Sequence, residues 1–147
     1  YIKKNNFADF IFGSVKKHWG ILHGYKPHKI KYSWGFYSSH STGFFIKRKV
    51  AEKVGFYNIK YKYHADYDYF YRLIVKNKMK GISTKKNEIV GIFRRGGFSS
   101  RISFWKKLKE DIRIRYDNGQ NIFLLVLIFS NKFLRNIDQI LKDNIKK

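Results

Sequence analysis

Residues 9–15, DFIFGSV, form a short apolar run that ends in Gly-Ser, and this pattern predicts a buried strand. Residues 41–55, STGFFIKRKVAEKVG, predict a second strand and then a short helix. In that helix Val50 and Val54 lie four residues apart, and Gly55 is typical of a helix end. Strands that alternate with helices indicate an α/β or α+β fold, whose strand order the sequence leaves open.

The segments further along the chain extend this alternation. Residues 66–76 predict an amphipathic helix, because apolar side chains recur at helical spacing: Tyr67, Phe70, Tyr71 and Ile74. Residues 80–94 predict a turn and then a strand, with Ile89–Phe93 as its apolar part. Residues 104–119 predict a basic helix that ends at Gly119.

Two other segments are less regular. Residues 16–40 contain the one proline, Pro27, and are rich in Gly, His, Tyr and Lys, so they predict a long, partly irregular loop. Residues 121–147 predict one or two helices with a basic tail. The run Ile122–Phe129 is too short for the roughly twenty apolar residues that span a bilayer, so it predicts a buried helix or an interfacial anchor.

The composition limits the possible classes of function. The chain has 147 residues, no cysteine and a net charge of +22. Disulfides and thiolate metal sites are therefore excluded. The positive charge is spread along the whole chain and attracts anionic membranes, nucleotide diphosphates and nucleic acid alike, so it does not choose among them.

Two aspartates, Asp66 and Asp68, stand one residue apart in a chain with 32 Lys and Arg against ten Asp and Glu. An Asp-x-Asp metal clamp should follow an apolar strand, but the preceding residues are YKYHA, which argues against a clamp. On a helix Asp66 lies at or near the N-cap, and capping alone would explain it. Asp68 lies about 200° further round the helix. Arg72 follows Asp68 by four residues, and this order predicts an ion pair.

A Gly/Ser loop and one histidine are further candidates for ligand contacts. Paired glycines and hydroxyl side chains, with nearby arginines, suit a diphosphate, although an ordinary glycine turn has the same composition. The residues concerned are Arg94, Arg95, Gly96, Gly97, Ser99 and Ser100. His40, at the mouth of the second strand, is a candidate either for a substrate hydrogen bond or for a cap of the strand end. The sequence contains no phosphate-binding P-loop, no G-x-G-x-x-G motif and no nucleophile elbow.

Four segments, taken in order, resemble family 2 glycosyltransferases, which are inverting enzymes of the GT-A fold. They are ADFIFGSV, SHSTGFFIKRKVAEKVGFYN, HADYDYFYRLIVKNK and GIFRRGGFSS, and they cover about residues 8–101. The resemblance implies an α/β fold that is the C-terminal, acceptor-side half of a GT-A domain over residues 1–120. A helical extension with a basic tail would follow over residues 121–147.

The resemblance also implies roles for particular residues. Asp66 corresponds to the base that takes the proton of the acceptor hydroxyl while a sugar passes, with inversion, from a nucleotide-sugar donor to a saccharide or lipid-linked acceptor. The Gly/Ser loop, namely Gly96, Gly97, Ser99 and Ser100 with Arg94 or Arg95, would contact the leaving diphosphate, and His40 would lie by the donor. Relatives of this kind include enzymes that build bacterial surface polysaccharides.

The sequence departs from the family in two respects. It lacks the nucleotide-binding half, which would hold most ligands of a divalent cation such as Mg²⁺ or Mn²⁺, so we expect this fragment to be inactive alone. It also has Ala65 where many relatives have an acidic residue. We expect a cytoplasmic location, with peripheral contact between the C-terminal helices and an anionic membrane. The alternative is a non-enzymatic basic module that binds an anionic membrane or, less in keeping with its motifs, nucleic acid.

Overall fold

A computed structural model describes residues 1, 4–32, 41–94, 96, 102–138 and 140. Over these residues the fold is mixed α/β, with two small mixed sheets and five α-helices. The strands are β1 (Phe10–Phe12), β2 (Ser14–Lys17), β3 (Gly20–Leu22), β4 (Phe44–Ile46), β5 (Gly81–Ser83) and β6 (Ile89–Ile92). The helices are α1 (Pro27–Tyr32), α2 (Arg48–Val54), α3 (Ala65–Tyr71), α4 (Phe104–Asp117) and α5 (Ile122–Arg135).

The first sheet has the order β4-β1-β5, in which β1 pairs antiparallel with β4 and parallel with β5. Residues 81–83 were predicted as part of a turn, and this prediction was wrong. They form β5 because they pair with β1 about seventy residues earlier, a contact that no local pattern encodes. Phe10 lies opposite Gly81 and covers it so closely that a Cβ atom there would lie 2.1 Å from the Phe10 ring.

The second sheet has the order β3-β2-β6, and the chain passes from the first sheet to the second at Gly13. The prediction of a single strand over residues 9–15 was therefore wrong. Gly13 donates its N–H to the Gly43 carbonyl, at 2.7 Å. A Cβ atom on Gly13 would lie 2.3 Å from a methyl group of Val90, so any other residue at this crossing would force Val90 to move.

The prediction of a long loop over residues 16–40 is also partly wrong. Within it β3 forms a hairpin with β2, and α1 begins at Pro27, where the missing N–H of proline costs nothing. Residues 33–40 of this segment lie outside the described part of the chain.

The predicted helix over residues 66–76 is confirmed. It begins one residue earlier as α3 and continues as a π-helical turn over Arg72–Lys76. Its apolar stripe packs against the first sheet. The Phe70 ring lies 4.7 Å from the Phe44 ring and 5.2 Å from the Phe12 ring, measured between centroids. This packing fixes the start of α3 relative to β1 and β4.

The two C-terminal helices also follow the sequence pattern. The turn after α4 contains Gly119, whose φ of 78° is of the left-handed kind that favours glycine. Asn121 caps α5 by accepting the Phe123 N–H at 2.9 Å. No helix within the described residues is long and apolar enough to cross a membrane.

Candidate functional site

Asp66 lies in the first turn of α3, half-buried, with His64 at the N-cap position. The carboxylate accepts the N–H of Tyr67 at 2.8 Å. It is therefore close to the position that the sequence predicted, but it is not the capping residue itself. At this position the carboxylate faces the positive end of the helix dipole.

A second carboxylate, from Glu110 of α4, supports the start of α3. It accepts the N–H groups of Tyr63 and His64 at 2.8 and 2.9 Å. No sequence pattern indicates this contact, because Glu110 is more than forty residues away from the start of α3. Two carboxylates thus lie at the start of α3. Glu110 binds the N–H groups that precede the helix, and Asp66, half-buried, lies in its first turn.

His64, at the start of α3, is the third ionisable residue there, beside Asp66 and Glu110. Burial lowers its pKa from the ordinary value of 6.5, the charges of Asp111, Asp66 and Glu110 act against that shift, and Lys132 reinforces it. Its Nδ1 is buried, with no hydrogen-bond partner among the described residues. Sequence reasoning missed His64, because a histidine without metal-ligand spacing carries no signal of its burial.

Asp68 forms the ion pair with Arg72 that the spacing predicted, with Nε 2.9 Å from Oδ2. Its other oxygen accepts the Asn118 amide at 2.9 Å. The Arg72 guanidinium also donates to the carbonyl oxygens of Val54 and Phe56, at 2.6 and 2.7 Å. Asp68 is 2% exposed. One oxygen of Asp68 thus joins α3 to the end of α4, and the other holds Arg72, which joins α3 to the loop after α2.

An open pocket of about 510 Å³ lies between β4, α2 and the loop that follows α2. Aromatic rings form much of its wall: Phe44, Phe56, Tyr57 and Tyr69. The Tyr57 and Tyr69 rings are stacked, with centroids 4.7 Å apart, and Phe56 is 96% exposed. Burial raises the pKa of the Tyr57 hydroxyl, and the negative charge of Asp66 adds to that rise. Asp66 does not line this pocket, but Tyr69, which does, follows it by three residues on α3, so the two side chains lie on the same side of the helix.

The predicted diphosphate residues are described only in part. Arg94 and Gly96 are exposed and follow β6, on the second sheet. No hydrogen bond or ion pair of the described residues joins them to Asp66, whose helix packs on the first sheet. His40, Arg95, Gly97, Ser99 and Ser100 lie outside the described residues.

The aspartates do not fit a divalent cation. Both oxygens of Asp68 are engaged by Arg72 and Asn118, and Asp66 lies elsewhere around the helix. No group of three or more His, Asp or Glu side chains in the described part of the chain is arranged to hold a metal ion. What this site offers is a half-buried carboxylate beside an aromatic pocket, which suits proton transfer to or from a ligand bound there.

No family model, curated protein or solved structure matches this chain.

Proposed function

We propose that this chain forms the acceptor-side part of an inverting glycosyltransferase of the GT-A type, with Asp66 as the general base. The observation that carries the proposal is the position of the Asp66 carboxylate, half-buried at the start of α3 and on the same side of that helix as Tyr69 of the aromatic pocket. The ordered motifs ADFIFGSV, SHSTGFF, HADYDYF and GIFRRGG add the resemblance to family 2 enzymes.

The pocket suits a saccharide acceptor. Sugar rings present an apolar face of C–H groups and a rim of hydroxyls. The exposed ring of Phe56 and the stacked pair of Tyr57 and Tyr69 provide apolar surface for such a face, and the tyrosine hydroxyls and Arg48 provide hydrogen-bond donors. In the proposal, a hydroxyl of the acceptor held in this pocket extends to Asp66.

The reaction is a direct displacement. The acceptor oxygen forms a bond to the anomeric carbon of the donor sugar, the bond from that carbon to the diphosphate oxygen breaks, and the hydroxyl proton passes to Asp66. The diphosphate leaves with the bonding electrons. In the proposal Arg94, Gly96 and the neighbouring Gly/Ser loop belong to the donor side.

The test is Asp66→Asn in the protein at its full natural length. We expect the variant to lose transfer of labelled sugar by about 10²- to 10⁴-fold, because the amide cannot take the proton, and to keep its affinity for the nucleotide-sugar donor. Transfer is measured with a panel of labelled nucleotide sugars, and donor affinity by calorimetry.

The matched control is Asp138→Asn, an exposed aspartate beyond the end of α5. It should transfer at the wild-type rate. Substantial transfer by Asp66→Asn would remove Asp66 from the role of base. Absence of both donor binding and transfer in the wild-type protein would refute the enzyme proposal and favour a basic binding module.

A further inference from the structure

The outward face of α5 is apolar. Phe123 is 76% exposed, Leu127 61% and Leu134 67%, and Ile122 and Val126 are more than half exposed. Helical spacing places Phe123, Leu127 and Leu134 on one side of the helix. A helix at a water-exposed surface carries polar residues on its outer side, whereas this outer side is hydrophobic except for Ser130.

The inward face of α5 already has its partner. Leu125 and Ile128 are buried, and Lys132 makes an ion pair with the buried Asp111 of α4. The helix is therefore apolar on two sides, only one of which the described residues cover. Of the two sequence predictions for this run, a buried helix accounts only for the inward face.

A groove between α4 and α5 extends the apolar surface. Its volume is about 490 Å³, and its apolar lining includes Ile112, Val126 and Phe129. Two cations, Lys109 and Arg113, also line it, and both are exposed. The surface thus combines projecting aliphatic and aromatic side chains with positive charge at their margin.

We propose that the outward face of α5 and the α4–α5 groove dock on an anionic lipid bilayer. Phe123, Leu127 and Leu134 enter the boundary between head groups and acyl chains, and Lys109 and Arg113 contact the lipid phosphates. With 14 residues, about 21 Å, α5 lies along the surface and does not cross it.

Charge complementarity favours this occupant. A net charge of +22 attracts a negative surface and opposes the approach of a second copy of the chain. In a symmetric pair of α5 faces, Lys109 and Arg113 of one copy would approach the same residues of the other copy. Nucleic acid fits less well, since it calls for cations and stacking rings over the whole contact, whereas this face is largely aliphatic.

The experiment is flotation of the full chain with vesicles of phosphatidylcholine alone and of phosphatidylcholine mixed with phosphatidylglycerol. We expect binding to the anionic vesicles, weakened by salt. The double variant Phe123→Asp, Leu127→Asp should reduce the partition coefficient about tenfold or more. Circular dichroism should stay unchanged, because both side chains already face outward.

The matched control is Ile59→Asp, which removes an isoleucine that is 97% exposed and lies far from α5 in the sequence. It should float as the wild type does. Equal flotation of the double variant would overturn the proposal, as would equal binding of the wild type to neutral and anionic vesicles.

A second pair of variants separates charge from apolar insertion. The double variant Lys109→Glu, Arg113→Glu should weaken binding to anionic vesicles and leave binding to neutral vesicles unchanged. Equal weakening on both kinds of vesicle would overturn the role of charge.

Sedimentation velocity tests whether a second copy of the chain covers this face instead. A dimer that the Phe123/Leu127 variant dissociates, with no vesicle binding by the wild type, would assign the face to a second copy instead. None of these measurements needs a sugar donor, so their outcome is independent of the proposed glycosyl transfer.

Discussion

Two helices of this protein each carry an aspartate followed four residues later by an arginine, and the two pairs differ in how far the arginine is buried. On α3 Asp68 is 2% exposed, and Arg72 reaches outward to the loop after α2. On α4 both partners are buried: Arg115 is 1% and Asp111 5% exposed, with Arg115 Nε 3.5 Å from Asp111 Oδ2. The same spacing therefore gives two different connections.

The surroundings of Arg115 show what its burial achieves. Its Nη1 donates to the Lys31 carbonyl at 3.0 Å and to the Gln120 side chain at 2.9 Å. The guanidinium also lies over the ring of Tyr67, with 5.0 Å between its carbon and the ring centroid. Arg115 thus joins α4 to α1 and α3, whereas Arg72 joins α3 to the end of α2 and to the loop beside the candidate site.

The largest expected effect of a single change to these pairs is that of Arg115→Met. Methionine fills much of the space but removes the ion pair with Asp111 and the hydrogen bonds to Lys31 and Gln120. We expect the free energy of unfolding to fall by about 3 kcal/mol, measured by urea denaturation. Arg113→Met, on the same helix but exposed, is the control and should cost less than about 0.5 kcal/mol. Equal losses for the two variants would show that Arg115 is not an anchor.

A smaller effect is expected for Asp68→Asn, which keeps the shape but removes the charge that Arg72 faces. Because Arg72 is partly exposed and keeps its two carbonyl acceptors, the expected loss is about 2 kcal/mol. The control is Glu52→Gln, which breaks an exposed i,i+4 pair with Arg48 and should cost about 0.3 kcal/mol or less. If Asp68→Asn costs no more than this control, the pair does not hold the loop.

The smallest effect concerns His64, whose pKa is influenced by the charge of Asp111 in the α4 pair. Because burial lowers its folded pKa below 6.5, the unfolded chain binds the proton more readily. The contribution of His64 to stability is therefore complete above pH 6.5 and is lost as the pH falls through the lowered folded pKa. His64→Gln should flatten the pH profile of urea denaturation in that window.

The carboxyl groups whose pKa values are lowered, Glu88 and Asp117, act at lower pH. Hydrogen bonds from Lys60 and Tyr61 hold the pKa of Asp117 below 3.8, so its contribution disappears only in more acidic solution. A wild-type profile that stays flat as the pH falls below 6.5 would contradict the role assigned to His64.

Local pattern predicted part of the candidate site. The apolar stripe of α3 and the Asp68–Arg72 pair both follow from spacing within a single helix, where neighbours four residues apart must meet. The support that Glu110 gives to Tyr63 and His64, and the pocket beside Asp66, could not be predicted in this way. They depend on α4 and on the loop after α2, which approach α3 only through the packing of the whole chain.

The sequence by itself determined the α/β class, the stripe that buries α3, and the helix ends at Gly55 and Gly119, because each of these depends on periodicity or on the freedom of one residue. Tertiary structure decided the break at Gly13, the pairing of β5 with β1, the burial of Arg115 and the face of α5 that the described residues leave uncovered. Each of these joins or exposes residues that are far apart along the chain, and no short-range pattern records which distant surface will lie against them.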